Sequence, residues 1–170
     1  MKKIGKAAAV IMILSFLGGL IGCRRVPEYS ADDIRSLSIS CGHMDYSHSY
    51  SYYLRKGENG WLLDAEYSRD TESPRVKYEE CAVAAEDVKE LLDIVEKQEI
   101  VKKLRHCKKS RSKIVALDDT SYYTSILFGD GEQLGAAKLI SRDMEEAFCR
   151  LAEKYSSIAP GADCPADDAE

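Results

Sequence analysis

Hydrophobic and polar residues alternate along several short stretches of the chain, as in β-strands that bury one face. In the first of these stretches, residues 34–41, Leu37 and Ile39 alternate with serines. The same pattern predicts five further strands, at residues 48–56, 61–67, 76–83, 121–128 and 132–140. The turn-forming sequences Asn59-Gly60 and Gly129-Asp130-Gly131 join two pairs of these strands. We therefore predict two antiparallel hairpins within a sheet of about six strands.

Two other stretches have the period of amphipathic helices. Residues 85–104 carry an apolar stripe at spacings of three and four, formed by Val88, Leu91, Leu92 and Val95. Ser141 is positioned to cap a final helix. The buried side of this helix is predicted to consist of Met144, Phe148, Leu151 and Tyr155. The order of the predicted elements along the chain is four strands, a helix, two strands and a helix. This order predicts an α+β fold in which two helices pack on one face of an antiparallel sheet.

The first residues of the chain have the composition of an export signal. Three lysines and no acid precede an uncharged and mostly aliphatic stretch of 16 residues from Ala7 to Gly22. As a helix this stretch would span roughly 24 Å, which is less than the ~30 Å hydrocarbon core of a bilayer. We therefore expect a cleaved signal peptide and not a transmembrane helix.

The hydrophobic stretch ends in Leu20-Ile21-Gly22-Cys23, which resembles the lipobox of bacterial lipoprotein precursors. A small residue before the cysteine fits a narrow protease site, and the thiol can form a thioether with a diacylglyceryl group. The resemblance implies cleavage before Cys23, lipidation of that residue, and a position on the extracytoplasmic side of the cell membrane. Two or more acyl chains hold a protein on a bilayer more firmly than one.

These patterns divide the chain into four segments. We predict a signal peptide at 1–22, a lipidated cysteine and tether at 23–33, a single α+β domain at 34–157, and a disordered acidic tail at 158–170. The part after the signal peptide is long enough for one domain with a sizeable core.

Several features together resemble a loose class of small lipoproteins from gut-type Gram-positive bacteria. These are the lipobox, the Ser- and Tyr-rich strand at 47–54, the Gly60-Trp61 pair, and the later hairpin at Asp130-Gly131. The shared patterns extend over about 100 residues, and no function carries over with them.

The charge distribution limits the classes of partner. The formal net charge is −5, and it becomes −8 when the three leader lysines are removed, so nucleic-acid binding is disfavoured. One basic segment departs from this balance, with Lys102, Lys103, Arg105, Lys108, Lys109, Arg111 and Lys113. It is either a contact for a membrane or another polyanion, or a solvated helix end that nearby acids neutralise.

Tyrosine is favoured over phenylalanine, ten to three. Tyrosine suits half-exposed sheet faces, because the ring packs while the hydroxyl meets water. A candidate ligand face, on which a glycan or peptide could stack, consists of Tyr50, Tyr52, Trp61 and Tyr67. The alternatives are a small sheet with one wet side, and a core position for Trp61.

Candidate metal ligands cluster in the predicted loop after the first strand, where His43, Asp45 and His48 follow Cys41. These side chains can bind a divalent ion, but their spacing matches no standard site. No nucleophile elbow, phosphate loop or dinucleotide fingerprint is present in the sequence. We therefore predict no metal, no cofactor and no enzymatic activity.

The cysteines leave the redox state open. Five follow Cys23, namely Cys41, Cys81, Cys107, Cys149 and Cys164. An odd number of cysteines leaves at least one thiol without a partner in the same chain. The sequence contains no C-x-x-C motif, so neither a zinc centre nor a thioredoxin-type centre is indicated. Export would permit disulfides. Their pairing, the oligomeric state and the envelope type of the organism do not follow from the sequence.

Together these features predict a membrane-anchored extracytoplasmic lipoprotein with a non-catalytic binding or interaction domain. Its partners would be the membrane, through the lipid, and an envelope protein or glycan. One alternative is a small metalloprotein or enzyme that uses the region of His43, Asp45 and His48. Another is an accessory subunit of an envelope complex, with the basic segment or an exposed cysteine as the contact.

Overall fold

The computed structural model describes residues 27–42, 49–68, 74–109, 121–139 and 141–159, which form six strands and three helices. The strands are β1 (Ile34–Gly42), β2 (Tyr50–Gly57), β3 (Gly60–Tyr67), β4 (Val76–Val83), β5 (Ser121–Phe128) and β6 (Gln133–Ala137). The helices are α1 (Ala85–Lys97), α2 (Ile100–Lys109) and α3 (Arg142–Ser156), and a 3-10 turn (Ala31–Asp33) precedes β1. The predicted α+β class is confirmed.

The six strands form one antiparallel sheet in the order β4-β3-β2-β1-β5-β6. Both predicted hairpins are present, and in the β2–β3 hairpin Gly57 lies opposite Gly60. Strand β1 is central because it pairs with β2 and β5. Its residue Ile39 lies between Tyr52 on β2 and Thr124 on β5, so these three side chains share one face of the sheet.

The helices cover the face of the sheet that carries Ile39. Side chains from this face and from the helices form one hydrophobic cluster, whose fully buried members include Leu37, Leu54, Leu63, Ile126, Leu91, Leu104 and Phe148. Helix α1 packs against α3, α2 packs against β6, and α3 packs against β4. The opposite face carries the exposed rings of Tyr53 and Tyr123. The period-2 pattern therefore separates a covered face from an uncovered one, as predicted for β1.

The predicted helix over 85–104 is two helices in the structure, so three helices replace the predicted two. Helix α1 ends at Lys97, and the backbone turns at Glu99, whose φ is +51°. The side chain of Gln98 donates a hydrogen bond to Asp143 and accepts one from the Ser141 hydroxyl. This link to the start of α3 fixes the turn, which redirects the apolar stripe so that α2 reaches β6.

The N-terminal border of the domain lies before the predicted one. Residues 27–33 were predicted to belong to a tether, but Tyr29 stacks on Phe128, with ring centroids 3.8 Å apart. The guanidinium of Arg105 lies 5.0 Å from the centre of the Tyr29 ring and also donates a hydrogen bond to the Pro27 carbonyl. An aromatic ring in the predicted tether thus finds a partner in the domain, which alternation patterns cannot reveal.

The C-terminal part agrees more closely with the prediction. Strand β6 ends earlier than predicted because Lys138 has a φ of +63°. The predicted cap of α3 is confirmed, since the Ser141 hydroxyl accepts a hydrogen bond from the Met144 amide at 3.3 Å. The predicted stripe of α3 is buried. Of the predicted tail, Ile158 and Ala159 belong to the described residues and Ala159 packs against the core, while 160–170 lie outside them.

Candidate functional site

A cleft of about 530 Å³ opens between strands β2 and β3 and helix α3. The described residues that line it are Ser49, Tyr50, Tyr52, Tyr67, Ser68, Arg142, Glu145, Glu146, Cys149 and Glu153. One wall is therefore aromatic and comes from the sheet, and the other is polar and comes from the helix. Its volume lies in the range of sites that hold small molecules.

The sheet wall consists of three tyrosine rings packed against one another. Tyr50 and Tyr52 lie two positions apart on β2 and so face the same side, and Tyr67 on β3 lies opposite Tyr50. The centroids of Tyr50 and Tyr52 are 5.2 Å apart, and those of Tyr52 and Tyr67 are 5.9 Å apart. Tyr52 also stacks on Phe148 of α3, at 5.6 Å with planes 6° apart. This last contact holds the helix against the sheet at the base of the cleft.

The helix wall is a row of residues at spacings of four, Glu145, Cys149 and Glu153. Residues four apart in a helix lie on the same side, and this row borders the buried stripe that contains Phe148. The spacing of this row is present in the sequence, but we did not predict these residues as part of a site. The Cys149 thiol lies 3.8 Å from a carboxylate oxygen of Glu153, as a weak donor.

The cleft carries negative charge that the helix does not neutralise. Each basic residue of α3 has an acidic partner: Arg142 pairs with Glu146 at 2.9 Å, Arg150 with Glu90 at 2.6 Å, and Lys154 with Asp87 at 2.7 Å. Within the part of the chain that the structure describes, no ion pair involves Glu145 or Glu153. Among the described lining residues, these two carboxylates are therefore the charged groups without an ion-pair partner.

The hydroxyls of Tyr50 and Tyr52 and the thiol of Cys149 are neutral at physiological pH. Burial is the largest cause that raises the pKa of Tyr50 far above its ordinary value, and the negative charge of the nearby Glu145 carboxylate raises it further. Burial also raises the pKa of Tyr52. The pKa of Cys149 is raised by burial first and by the nearby Glu153 carboxylate second. Cys149 is therefore a thiol and not a thiolate, and thiols are poor nucleophiles.

Three of the four residues of the predicted ligand face come together in this cleft, but not as an open platform. Tyr52 and Tyr67 are each only 3% exposed, because α3 covers them. Trp61 lies at the other end of β3, buried opposite Val83 of β4 and with the Lys56 ammonium 5.9 Å from its ring centre. The tyrosines thus form a wall of a cleft, and Trp61 belongs to the core.

The predicted basic segment is only partly described. Lys102 pairs with Glu99 at 3.1 Å and Lys103 is exposed on α2. Arg105 is engaged with Tyr29 and Pro27, as described above. Lys108 and Lys109 end α2, and Arg111 and Lys113 lie outside the described residues.

Several predicted sites also lie outside the described residues. These are the lipidation site Cys23, the weak metal candidates His43, Asp45 and His48, and Cys164. The other four cysteines, Cys41, Cys81, Cys107 and Cys149, are free thiols. In the described ranges no three His, Cys, Asp or Glu side chains are grouped so as to hold a metal ion.

Comparison with known proteins adds no relative. No family model, no curated protein and no solved structure matches this chain. Among the residues that the structure describes, every helix is too short or too polar to cross a membrane.

Proposed function

We propose that the protein is a lipid-anchored, extracytoplasmic binding protein whose ligand site is the cleft between the tyrosine wall and α3. The observation that carries the proposal is the juxtaposition of three packed tyrosines with Glu145 and Glu153, which have no basic partner among the described residues. Binding sites combine such apolar walls with a few polar groups that orient the ligand.

The sequence and the first described residues support the location. The leader ends in a lipobox at Cys23, and the first described residue, Pro27, follows with only Arg24, Arg25 and Val26 between them. Four residue steps span at most about 14 Å. Because Arg105 and Tyr29 hold this segment on the domain, an acylated Cys23 would keep the domain close to the bilayer surface.

The chemistry of the cleft favours binding over catalysis. The Cys149 thiol is protonated, and the hydroxyls of Tyr50 and Tyr52 have pKa values raised far from the range of general acids and bases at neutral pH. Glu145 and Glu153 are eight residues apart on α3, so their Cα atoms are separated by roughly 12 Å along the helix axis. That separation exceeds what a pair of cooperating catalytic carboxyl groups requires.

A second candidate function, contact with an envelope protein, is favoured by the uncovered face of the sheet. Tyr53 on β2 and Tyr123 on β5 are 37% and 46% exposed there. Register places Ser38 between Tyr53 and Ser125, and Ser40 opposite Tyr123, so serines lie between the two rings. Tyrosine is enriched in protein interfaces relative to the rest of the protein surface.

Amide chemical-shift mapping separates the two candidates. The mature chain with Cys23→Ser, isotope-labelled, would be titrated with a library of small charged and neutral compounds. We expect shifts around Ser49, Ser68 and Cys149, which Tyr50→Ala abolishes. Tyr53→Ala is the matched control, because it removes a tyrosine of the same strand from the opposite face and should leave the shifts unchanged.

Two other outcomes contradict the proposed site. Shifts confined to the neighbourhood of Tyr53 and Tyr123 would assign ligand contact to the uncovered face. An absence of shifts at the cleft with every compound would remove the cleft as a binding site.

A further inference from the structure

We infer that the basic face of α2, which carries Lys102, Lys103 and His106, is a second membrane contact that lies on anionic lipid headgroups beside the anchor. This inference rests on the lipid anchor of the proposed function and adds the side of the domain that faces the bilayer and the class of lipid that it contacts. It follows from the charge of α2, from the contact that holds the N-terminal segment on α2, and from the register of the sheet.

The first argument is the charge of α2. Five of its ten residues are lysine or arginine and none is acidic, although the formal net charge of the chain is −5. Lys102, Lys103 and His106 are exposed. Spacings of four and three place both lysines on the same side of the helix as His106, away from the buried Leu104. A surface of anionic lipid attracts a positive helix face of this kind.

Contacts within the domain account poorly for the two lysines. Both lie in the first turn of α2, where the helix dipole disfavours a positive charge. Lys102 pairs with Glu99 at 3.1 Å, but both side chains are largely exposed, and such pairs add little stability. Lys103 has no acidic partner within the described ranges. The two ammonium groups are therefore accessible to an external partner.

The second argument is that α2 holds the segment that follows the anchor. The Arg105 guanidinium donates a hydrogen bond to the Pro27 carbonyl at 2.5 Å and lies over the Tyr29 ring. Lys102, one turn before Arg105, lines the same groove as Tyr29. At most about 14 Å of chain separates Pro27 from Cys23. An acylated Cys23 would therefore bring the basic face to the headgroup layer.

The third argument is that this contact would not cover the cleft. The N-terminal segment packs on Phe128, which pairs with Ile34 at the start of β1. The cleft includes Tyr50, which pairs with Cys41 near the end of β1. Seven residue steps separate Ile34 from Cys41, or roughly 23 Å of strand. The anchored end and the cleft thus lie at opposite ends of β1, so both can be used at once.

Vesicle binding by the mature chain without its lipid tests the contact. The chain carrying Cys23→Ser would be mixed with vesicles of phosphatidylglycerol and phosphatidylcholine, or of phosphatidylcholine alone, and the bound fraction would be measured by flotation. We expect binding to the anionic vesicles only. Its affinity should fall by about tenfold or more between roughly 50 and 500 mM salt, because salt screens exposed charges.

Two double variants separate the basic face from net charge. Lys102→Gln with Lys103→Gln removes two charges from the face and should weaken binding to the anionic vesicles about tenfold. Arg75→Gln with Lys77→Gln is the matched control, because it removes the same charge from exposed side chains at the start of β4. The control should bind as the parent chain does, and thermal unfolding checks that both variants are folded.

The acids beside the basic face predict a gain of binding. Glu99 pairs with Lys102, and Glu96 accepts a hydrogen bond from the Ala31 amide at 3.0 Å. Glu99→Gln keeps the size of the side chain, removes a negative charge next to the face and releases Lys102. We expect it to strengthen binding to the anionic vesicles about threefold.

Four outcomes would overturn the inference. They are no binding to anionic vesicles at low salt, equal binding to both kinds of vesicle, equal weakening by the two double variants, and binding to soluble polyphosphate but not to anionic vesicles. The last result would assign the face to a polyanion other than the membrane. None of them bears on the lipid anchor or on the cleft, which the mass of the native N-terminus and the library titration test separately.

Discussion

The ring of Tyr29 lies flat on the ring of Phe128, with centroids 3.8 Å apart and planes 9° apart. The Tyr29 hydroxyl lies within hydrogen-bond distance of the carboxylates of Asp130 and Glu132, in the turn between β5 and β6. The hydrogen bond from Tyr29 is the largest cause of a lowered pKa at Asp130. This contact joins the segment that follows the proposed lipid anchor to the edge hairpin of the sheet, which is why the domain begins before residue 34.

Two substitutions of Tyr29 should therefore destabilise the mature chain to different extents. Tyr29→Phe keeps the stack and loses the hydrogen bonds, whereas Tyr29→Ala also loses the stack and the contact with Arg105. We expect the thermal midpoint to fall from wild type to Phe to Ala, with the Ala variant several degrees below wild type. Tyr53→Ala, at an exposed ring, should lie close to wild type. An unchanged midpoint for Tyr29→Ala would mean that the segment does not stabilise the domain.

The turn between α1 and α2 predicts that glycine at position 99 gives a more stable protein than alanine does. Glu99 has a φ of +51°, a region that costs residues with a Cβ atom about 1 kcal/mol but costs glycine little. Glu99→Gly and Glu99→Ala both lose the exposed ion pair with Lys102. The Gly variant should nevertheless be more stable than the Ala variant by about 1 kcal/mol in urea unfolding. A more stable Ala variant would indicate one continuous helix over 85–104, as the stripe alone predicts.

Asp87 should make the stability depend on pH. Hydrogen bonds from Lys154 and from Tyr155, the former being the larger cause, lower the pKa of Asp87. A lowered pKa in the folded state means that folding favours the carboxylate. The stabilisation is therefore complete above the ordinary aspartate pKa of about 4, and it is lost as the pH falls through the lower value of the folded state.

The variant Asp87→Asn isolates this effect. Its deficit in the free energy of unfolding relative to wild type should be largest at neutral pH and should shrink as the pH falls below about 4. Urea unfolding at several pH values measures the deficit. Asp93→Asn on the same helix is the control and should show no such trend. A deficit for Asp87→Asn that stays constant down to the lowest pH would contradict the ionic role of this side chain.

Local patterns predicted most of the fold. Alternation located all six strands, and the hydrophobic stripe with Ser141 located α3, because these signals depend only on neighbouring residues. The position of β5 beside β1 was not predictable in this way, since it depends on packing between distant segments. The turn at Glu99 was missed for the same reason, because Gln98 is held by residues of α3 that lie more than 40 positions away.

The candidate site was predicted in part. Tyr50, Tyr52 and Tyr67 were identified from their spacing, but the sequence does not show which face of the sheet α3 covers. The row Glu145, Cys149 and Glu153 has a regular spacing of four, yet only the structure shows that it faces the tyrosines. Trp61 satisfied the same alternation and belongs to the core, because it lies at the other end of β3.

The most direct test of the proposed location is mass spectrometry of the protein extracted from membranes of the cell that makes it. We predict a mature N-terminus at Cys23, with the mass of a diacylglyceryl group on that residue and none of residues 1–22 present. A chain that retains Met1 and carries an unmodified Cys23 thiol would contradict the lipid anchor, and with it the extracytoplasmic location of the cleft.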